Sequence, residues 1–447
     1  MKTPIYDFVS DYIISDPLRL HMPGHKGIAL LGCEERDITE IGGADVLYSA
    51  DGIIAESEAN AASLFGAART LYSTEGSSLV IRAMLALVKR YANAIGRPAR
   101  ILAARNAHRS FHFGAALLDL EVDFLGDPGA SPLRAPSLDG DAVARAIDKA
   151  REKPLALYLT APDYLGNLPD LRGIAEICHS RGVLLLVDNA HGAYLGFLSP
   201  SRHPMSLGAD LCADSAHKTL PVLTGGAYLH IAGRAPDFFR EAAPEALSLF
   251  ASSSPSYLIL QSLDLANRYL SEGYAERLAD FTPRLDALKE RLAELGHALV
   301  GNEPLKLTVS AKPFGYLGTE LAELLSARGI VPEFSDPDYL TLMPSPEQGE
   351  QGLSRLLSAF LSIPRRSAII EPAPHLGAAR RLLSMREALF ALSEEISIDA
   401  AEGRILSSAT VSCPPAIPIC ISGEEIDRQA IACLRYYGVK TVRVCKQ

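Results

Sequence analysis

The feature that most constrains this chain is a set of short, largely apolar segments alternating with amphipathic ones between residues 101 and 188. ILAAR (101–105), EVDFL (121–125), LALYLT (155–160) and VLLLVD (183–188) read as strands. HRSFHFGAALLDL (108–120), DGDAVARAIDKAREK (139–153) and LRGIAEICHSRG (171–182) read as the helices between them. Apolar strands interleaved with helices imply a parallel sheet covered on both faces. Ligands of such sheets sit beyond the strands' carboxyl ends, where Thr160 and Asp188 stand.

On either side the pattern changes. Residues 1–50 are polar and turn-rich, with HMPGHKG at 21–27, and read as an arm lying on another surface. IIAESEANAASLFG (53–66) has helical spacing and a glycine C-cap, and STEGSS (73–78) leads into a long amphipathic helix. Residues 257–300 are mostly helical. KLTVSAK, a helix at 318–328 and a strand near 330 then suggest a smaller α/β unit. The Pro-rich stretch 362–375 reads as loop and 414–418 as extended. The expected division is an arm over 1–50, a large domain over 51–280 and a small C-terminal domain over 281–447.

A length of 447 residues exceeds one ordinary core. A net charge of −10 lacks the basic face that nucleic acid requires. The seven cysteines are scattered without CxxC or zinc-like spacing, so they read as buried thiols in a reducing compartment, with no metal expected. No apolar run approaches a membrane span and the first residues lack a signal-peptide core, so the expected location is the cytoplasm.

The chemistry concentrates in ADLCADSAHKTLPVLTGGAYLH (209–230), where Ser215, His217 and Lys218 stand together before buried sheet. A lysine in that setting is a candidate to hold pyridoxal phosphate as a Schiff base. Such a cofactor also needs an acid at its pyridine nitrogen, a phosphate cup and groups against its ring faces. Asp188 is the candidate acid, although a strand-end aspartate also caps loops. Gly76, Ser77 and Ser78 open a helix whose positive end suits an anion, although Ser77 is also a plausible cap. His108 is placed to stack on a ring or to cap its own helix.

HMPGHKG, DITEIGGADVL, FGAARTLYSTEGSS, RNAHRS, LTAPDYLG, DNAHGAYLGF, SAHKTL and SSSPSYLILQSLD occur in one order. Together they resemble the Orn/Lys/Arg decarboxylase family, in its short form without an extra N-terminal domain. The resemblance runs from about residue 20 to 270 and resumes at GRI (403–405) and CPPAIPICISGEE (413–425). It implies a fold-type-I, aspartate aminotransferase-like large domain with a mainly parallel sheet, plus a smaller C-terminal α/β domain. It implies Lys218 as the cofactor-linked lysine, Asp188 at the ring nitrogen, and His108 and Ala190 on the two ring faces. Gly76, Ser77, Ser78, Ser215 and His217 would hold the phosphate, and His191 would lie beside Asp188. A homodimer with shared active sites is implied, with Ser253 in the Ser252–Ser254 stretch reaching the second chain's cofactor. His25 and Lys26 would lie near the mouth.

Departures fall around the substrate. Asn189 and Tyr194 stand where Glu and His are common, and Gly225 where Gln is common. Cys413, Ala416, Ser422 and Ser407-Ser408 depart from the C-terminal pattern. The implied activity is decarboxylation of lysine, arginine or ornithine, as in polyamine metabolism, with Lys218 or His217 protonating Cα. Another pyridoxal phosphate reaction, with Arg404 as a carboxylate clamp, and a homologue without turnover stand as alternatives. Arg404 also suits an ion pair. Asp336 and Asp338 are candidates for a distal cation, or for turn formers.

Overall fold

A computed structural model describes residues 1–125, 140–376, 380–413 and 417–446. Helix α1, Pro4–Ile14, starts inside the stretch that reads as an irregular arm. Pro4 suits a first helical turn, and Ile5 and Val9, one turn apart, are fully buried. The cap explains why the sequence hides this helix. The Asp264 carboxylate accepts from the Ile5 and Tyr6 N–H groups at 2.9 and 3.0 Å, 259 and 258 residues along the chain. Helix α2, Ile53–Phe65, ends as its pattern predicts, with Gly66 left-handed at φ +64°.

Seven strands form the main sheet: β1 Arg69–Ser73, β2 Arg100–Ala104, β3 Glu121–Leu125, β4 Ala156–Thr160, β5 Leu184–Asp188, β6 Leu211–Asp214 and β7 Ala227–Ile231. Their order is β1-β7-β6-β5-β4-β2-β3. The sheet is mainly parallel, as predicted, and has the fold-type-I arrangement. Strand β5 pairs parallel with β6, setting Asp188 opposite Ala213. Strand β7 runs antiparallel to both β6 and β1, so β1 and β6 point the same way. The β6–β7 connection holds only a four-residue helix, Ala216–Thr219, and the chain turns straight back.

The chain forms two compact units. One comprises Met1–Ile101, Ala150–Leu159 and Leu171–Glu276. Its core includes α3, Gly76–Ala94, which buries an apolar face from Leu79 to Val88. The other comprises Leu102–Lys149, Thr160–Asp170 and Arg277–Gln447. It contains α4, Arg109–Leu117, and a four-stranded antiparallel sheet of 334–335, 339–342, 307–310 and 298–300 in that order. The strand expected near 330 begins instead at Phe334, because Ile330 N–H still returns to Leu325 O at 3.1 Å, closing the preceding helix. The expected loop over 362–375 is free of helix and strand. Of the predicted extended piece 414–418, residues 414–416 lie outside the described residues and Ile417–Ile421 is a strand. No helix among the described residues is long and apolar enough to cross a membrane.

Candidate active site

Within the first unit, three chain segments meet at the carboxyl edge of the sheet. Strand β5 ends at Asp188, β6 leads into Ser215–Lys218, and β1 leads into the start of α3 at Gly76. The shared direction of β1, β5 and β6 brings these ends to one side. Ser215 Oγ donates to Ser77 Oγ at 2.5 Å, tying the second segment to the third. Gly76 N–H donates to Gly225 O at 2.7 Å, so the loop after Lys218 also holds the helix start. Ser77 does not cap α3; Glu75 occupies the cap position and makes no side-chain cap bond.

Lys218 is exposed, and its amine lies 3.1 Å from Nε2 of His191, which is buried. Asp188 is 1% exposed, and its carboxylate accepts from Tyr158 O–H at 3.1 Å and Ala190 N–H at 3.2 Å. Burial pushes its carboxyl above the ordinary aspartate range; the Lys218 charge and the two donors pull it back only in part. His217 Nδ1 donates to Gly226 O at 3.1 Å, and burial pushes this imidazole below the ordinary histidine value. Ala190 is buried, and Ser78 lies in the first turn of α3.

A second cluster beneath this edge escaped the sequence reading. Asp214 Oδ2 accepts from His203 Nε2 at 2.9 Å and His230 Nε2 at 3.2 Å, all three residues being buried. Their composition suits a metal, but His203 Nδ1 accepts Met205 N–H at 3.3 Å. The neutral ring then carries its proton on Nε2, so it donates to Asp214 and has no lone pair there for a metal. The signal was present in the sequence as Asp214 beside SAHK; its histidine partners are distant in sequence.

The other candidate residues have partners of their own. In the second unit His108 is the N-cap of α4, its Nδ1 accepting from Ser110 N–H at 3.3 Å. Arg404 pairs with Glu394 at 2.7 Å and donates to Cys445 O at 2.8 Å, which is the ion-pair reading. Asp338 is 2.8 Å from Lys312 Nζ and accepts from Tyr436 O–H at 2.7 Å, while Asp336 accepts two turn N–H groups. Both are buried rather than solvated, and Asp338 already has its cation. In the first unit His25 pairs with Asp37 at 3.2 Å and Lys26 donates to His21 O. Ser252 N–H donates to Glu75 Oε1 at 2.6 Å, and Ser253 is exposed.

The major domain of Orn/Lys/Arg decarboxylases matches residues 3–298, and the C-terminal domain of the same family matches residues 382–442. The chain belongs to the Orn/Lys/Arg decarboxylase family. An arginine decarboxylase of Bacillus subtilis is 30% identical to it, over 96% of this chain and 92% of that protein. The protein YaaO of Bacillus subtilis, described as uncharacterized, is 28% identical over 99% of this chain and 95% of its own. The structure of lysine decarboxylase A from Pseudomonas aeruginosa superposes with a TM-score of 0.81 at 17% identity, covering 99% of this chain and 80% of that one. The chain is thus a pyridoxal phosphate-dependent amino-acid decarboxylase by family.

The residues of this decarboxylase fit that cofactor. Asp188 is a buried carboxyl whose hydrogen-bond donors, Tyr158 and Ala190, are both neutral. A protonated pyridine nitrogen would add a hydrogen-bonded positive partner, which a carboxylate at this depth favours. An amine, a helix start and a serine pair lie on the same sheet edge.

Proposed function

We propose that this decarboxylase acts on a basic amino acid (lysine, arginine or ornithine), releasing the corresponding amine and CO₂. The observation that carries the proposal is the Lys218 amine beside His191, with Asp188 buried on the neighbouring strand end. Lys218 would hold pyridoxal phosphate covalently and Asp188 would face its ring nitrogen. Ala190 and His108 would lie against the ring faces, and His191 beside Asp188. Gly76, Ser77, Ser78, Ser215 and His217 would hold the phosphate, and Ser253 would serve the second chain of a homodimer. When bound, the cofactor supplies an electron sink for the pair left on Cα as CO₂ departs.

The chain's own groups handle the protons. Asp188, shielded from water, keeps a proton at the ring nitrogen, because a buried ion pair is favoured over a lone buried carboxylate. For the proton that Cα receives, the geometry favours Lys218 over His217. His217 commits Nδ1–H to Gly226 O, so its neutral ring has only an acceptor at Nε2. Beside a bound phosphate that nitrogen would be protonated, and its one donor would then be committed to the anion rather than to Cα. Lys218 has three donors and His191 within exchange distance.

The relatives named arginine decarboxylase make arginine the first substrate to try. The holo-protein should be incubated separately with each basic amino acid and the released amine identified. One of the three should yield amine and CO₂ in equal amounts. Keto-acid formation, or no turnover with any of them, would refute the proposal.

A further inference from the structure

Three arginines in the second unit join the segment carrying His108 to the C-terminal piece of the chain. Arg386 donates to Ala116 O at 3.2 Å and Leu117 O at 2.9 Å, closing the end of α4. Arg381 donates to Val122 O at 2.9 Å in β3. Arg105 differs from both, because its partner is a charge. Its two terminal nitrogens meet the two carboxylate oxygens of Glu424 at 2.7 and 2.8 Å, a fork-to-fork pair with side chains 14% and 6% exposed.

Both ends of this pair are held. Arg105 follows β2 inside a tight turn, in which Ala107 N–H returns to Ala104 O at 3.2 Å, and His108 is the next residue. His112 Nε2 donates to Ala107 O at 3.2 Å, fixing the turn's far side. Glu424 also accepts Ile421 N–H at 2.8 Å, and its own carbonyl accepts Leu406 N–H at 2.9 Å. Gly423 before it has φ +90°, and a Cβ there would meet Leu383 O at 2.2 Å, so only glycine seats this turn. A bidentate pair fixes direction as well as distance, which a lysine's point charge does not.

We infer that Arg105 and Glu424 are positioning residues: the C-terminal segment aims the His108 turn through their two-pronged pair. The inference rests on the reading that His108 lies against the cofactor. It assigns to the C-terminal ISGEE stretch a task in cofactor seating.

The test compares full-length His108→Ala, Arg105→Gln, Glu424→Gln, Arg105→Lys and the His108→Ala/Arg105→Gln double variant. The readouts are visible circular dichroism of bound pyridoxal phosphate, its dissociation constant, and the melting temperature of cofactor-free protein. Arg105→Gln and Glu424→Gln should change the visible spectrum as His108→Ala does and weaken cofactor binding by about tenfold. Arg105→Lys should restore that only partly, and the double variant should bind no worse than His108→Ala alone. Melting changes with wild-type spectrum and affinity would mean a structural pair only, and overturn the inference. Altered spectra in the Arg105 and Glu424 variants with a silent His108→Ala would overturn the route through His108. Silence in all of them would overturn both this inference and the reading of His108 beneath it. If Arg105→Gln fails to fold, Glu424→Gln and Arg105→Lys decide the question.

Discussion

Asn189 donates its side-chain amide to Asp214 Oδ1 at 2.7 Å, a neutral donor on a buried carboxylate. With His203 and His230 on the other oxygen and the Cys212 thiol at 3.4 Å, Asp214 is surrounded by donors only. Burial works against the Asp214 charge, but the His203 and then the His230 interactions outweigh it and hold the carboxyl below the ordinary aspartate value of 3.8. A lowered carboxyl stabilises the fold above that value, and the contribution is lost as pH falls beneath it. Asp214→Asn turns an amide toward these donors and should cost about 3–5 kcal/mol in denaturant unfolding. The variant should also lose this part of the acid sensitivity. Wild-type stability in Asp214→Asn would show that the cluster carries no such weight.

Lys218 is the residue on which the cofactor assignment turns. Borohydride reduction of holo-protein should leave the cofactor's mass on the peptide containing Lys218. Lys218→Ala should retain cofactor only noncovalently, with turnover reduced by at least about a thousandfold. A reduced adduct on any other lysine would refute the assignment. His191→Leu should slow turnover less and keep the adduct, because His191 touches the amine without carrying the linkage.

Glu58 in α2 is 6% exposed and accepts Tyr72 N–H of β1 at 2.8 Å. Burial raises its carboxyl from 4.5 to about 8, against the pull of that N–H and of Arg69. A raised carboxyl contributes stability that is fully present below pH 4.5 and lost as pH rises through about 8. Glu58→Gln keeps the acceptor and removes the titration. Melting of cofactor-free protein should therefore show the variant gaining on wild type by on the order of 1–3 kcal/mol across that interval. Parallel curves for the two proteins would contradict it.

What the sequence revealed follows how local each signal is. Strands β2 to β5 of the main sheet and helix α2 were legible because apolar runs and a glycine cap lie within a few residues. Helix α1 was not, since its cap is Asp264, far along the chain. The site divides the same way. Lys218, Asp188 and the Gly76–Ser78 helix start announce themselves by motif and strand end. Asp214 was written beside SAHK, yet its meaning depends on His203 and His230, which only the pairing of β6 with β7 and the preceding loop bring to it. Asp336 and Asp338 looked like solvated turn residues because Lys312, Tyr436 and Tyr437 are remote in sequence.

Gly225 is a glycine that the backbone itself requires. Its φ of +102° lies where glycine alone is comfortable, and a Cβ would sit 2.7 Å from Thr74 O and 3.1 Å from Ile259 Cδ1. Its carbonyl receives Gly76 N–H at the start of α3, so strain here reaches the proposed phosphate cup directly. Gly225→Ala should cost about 1–3 kcal/mol of stability and weaken pyridoxal phosphate binding, measured by titration of the apo-protein. Gly225→Gln should do no better, because its Cβ meets the same clash with Thr74 O. A Gly225→Gln protein that melts and binds cofactor like wild type would show that the loop re-forms easily. In that case the seating of α3 would not depend on this glycine.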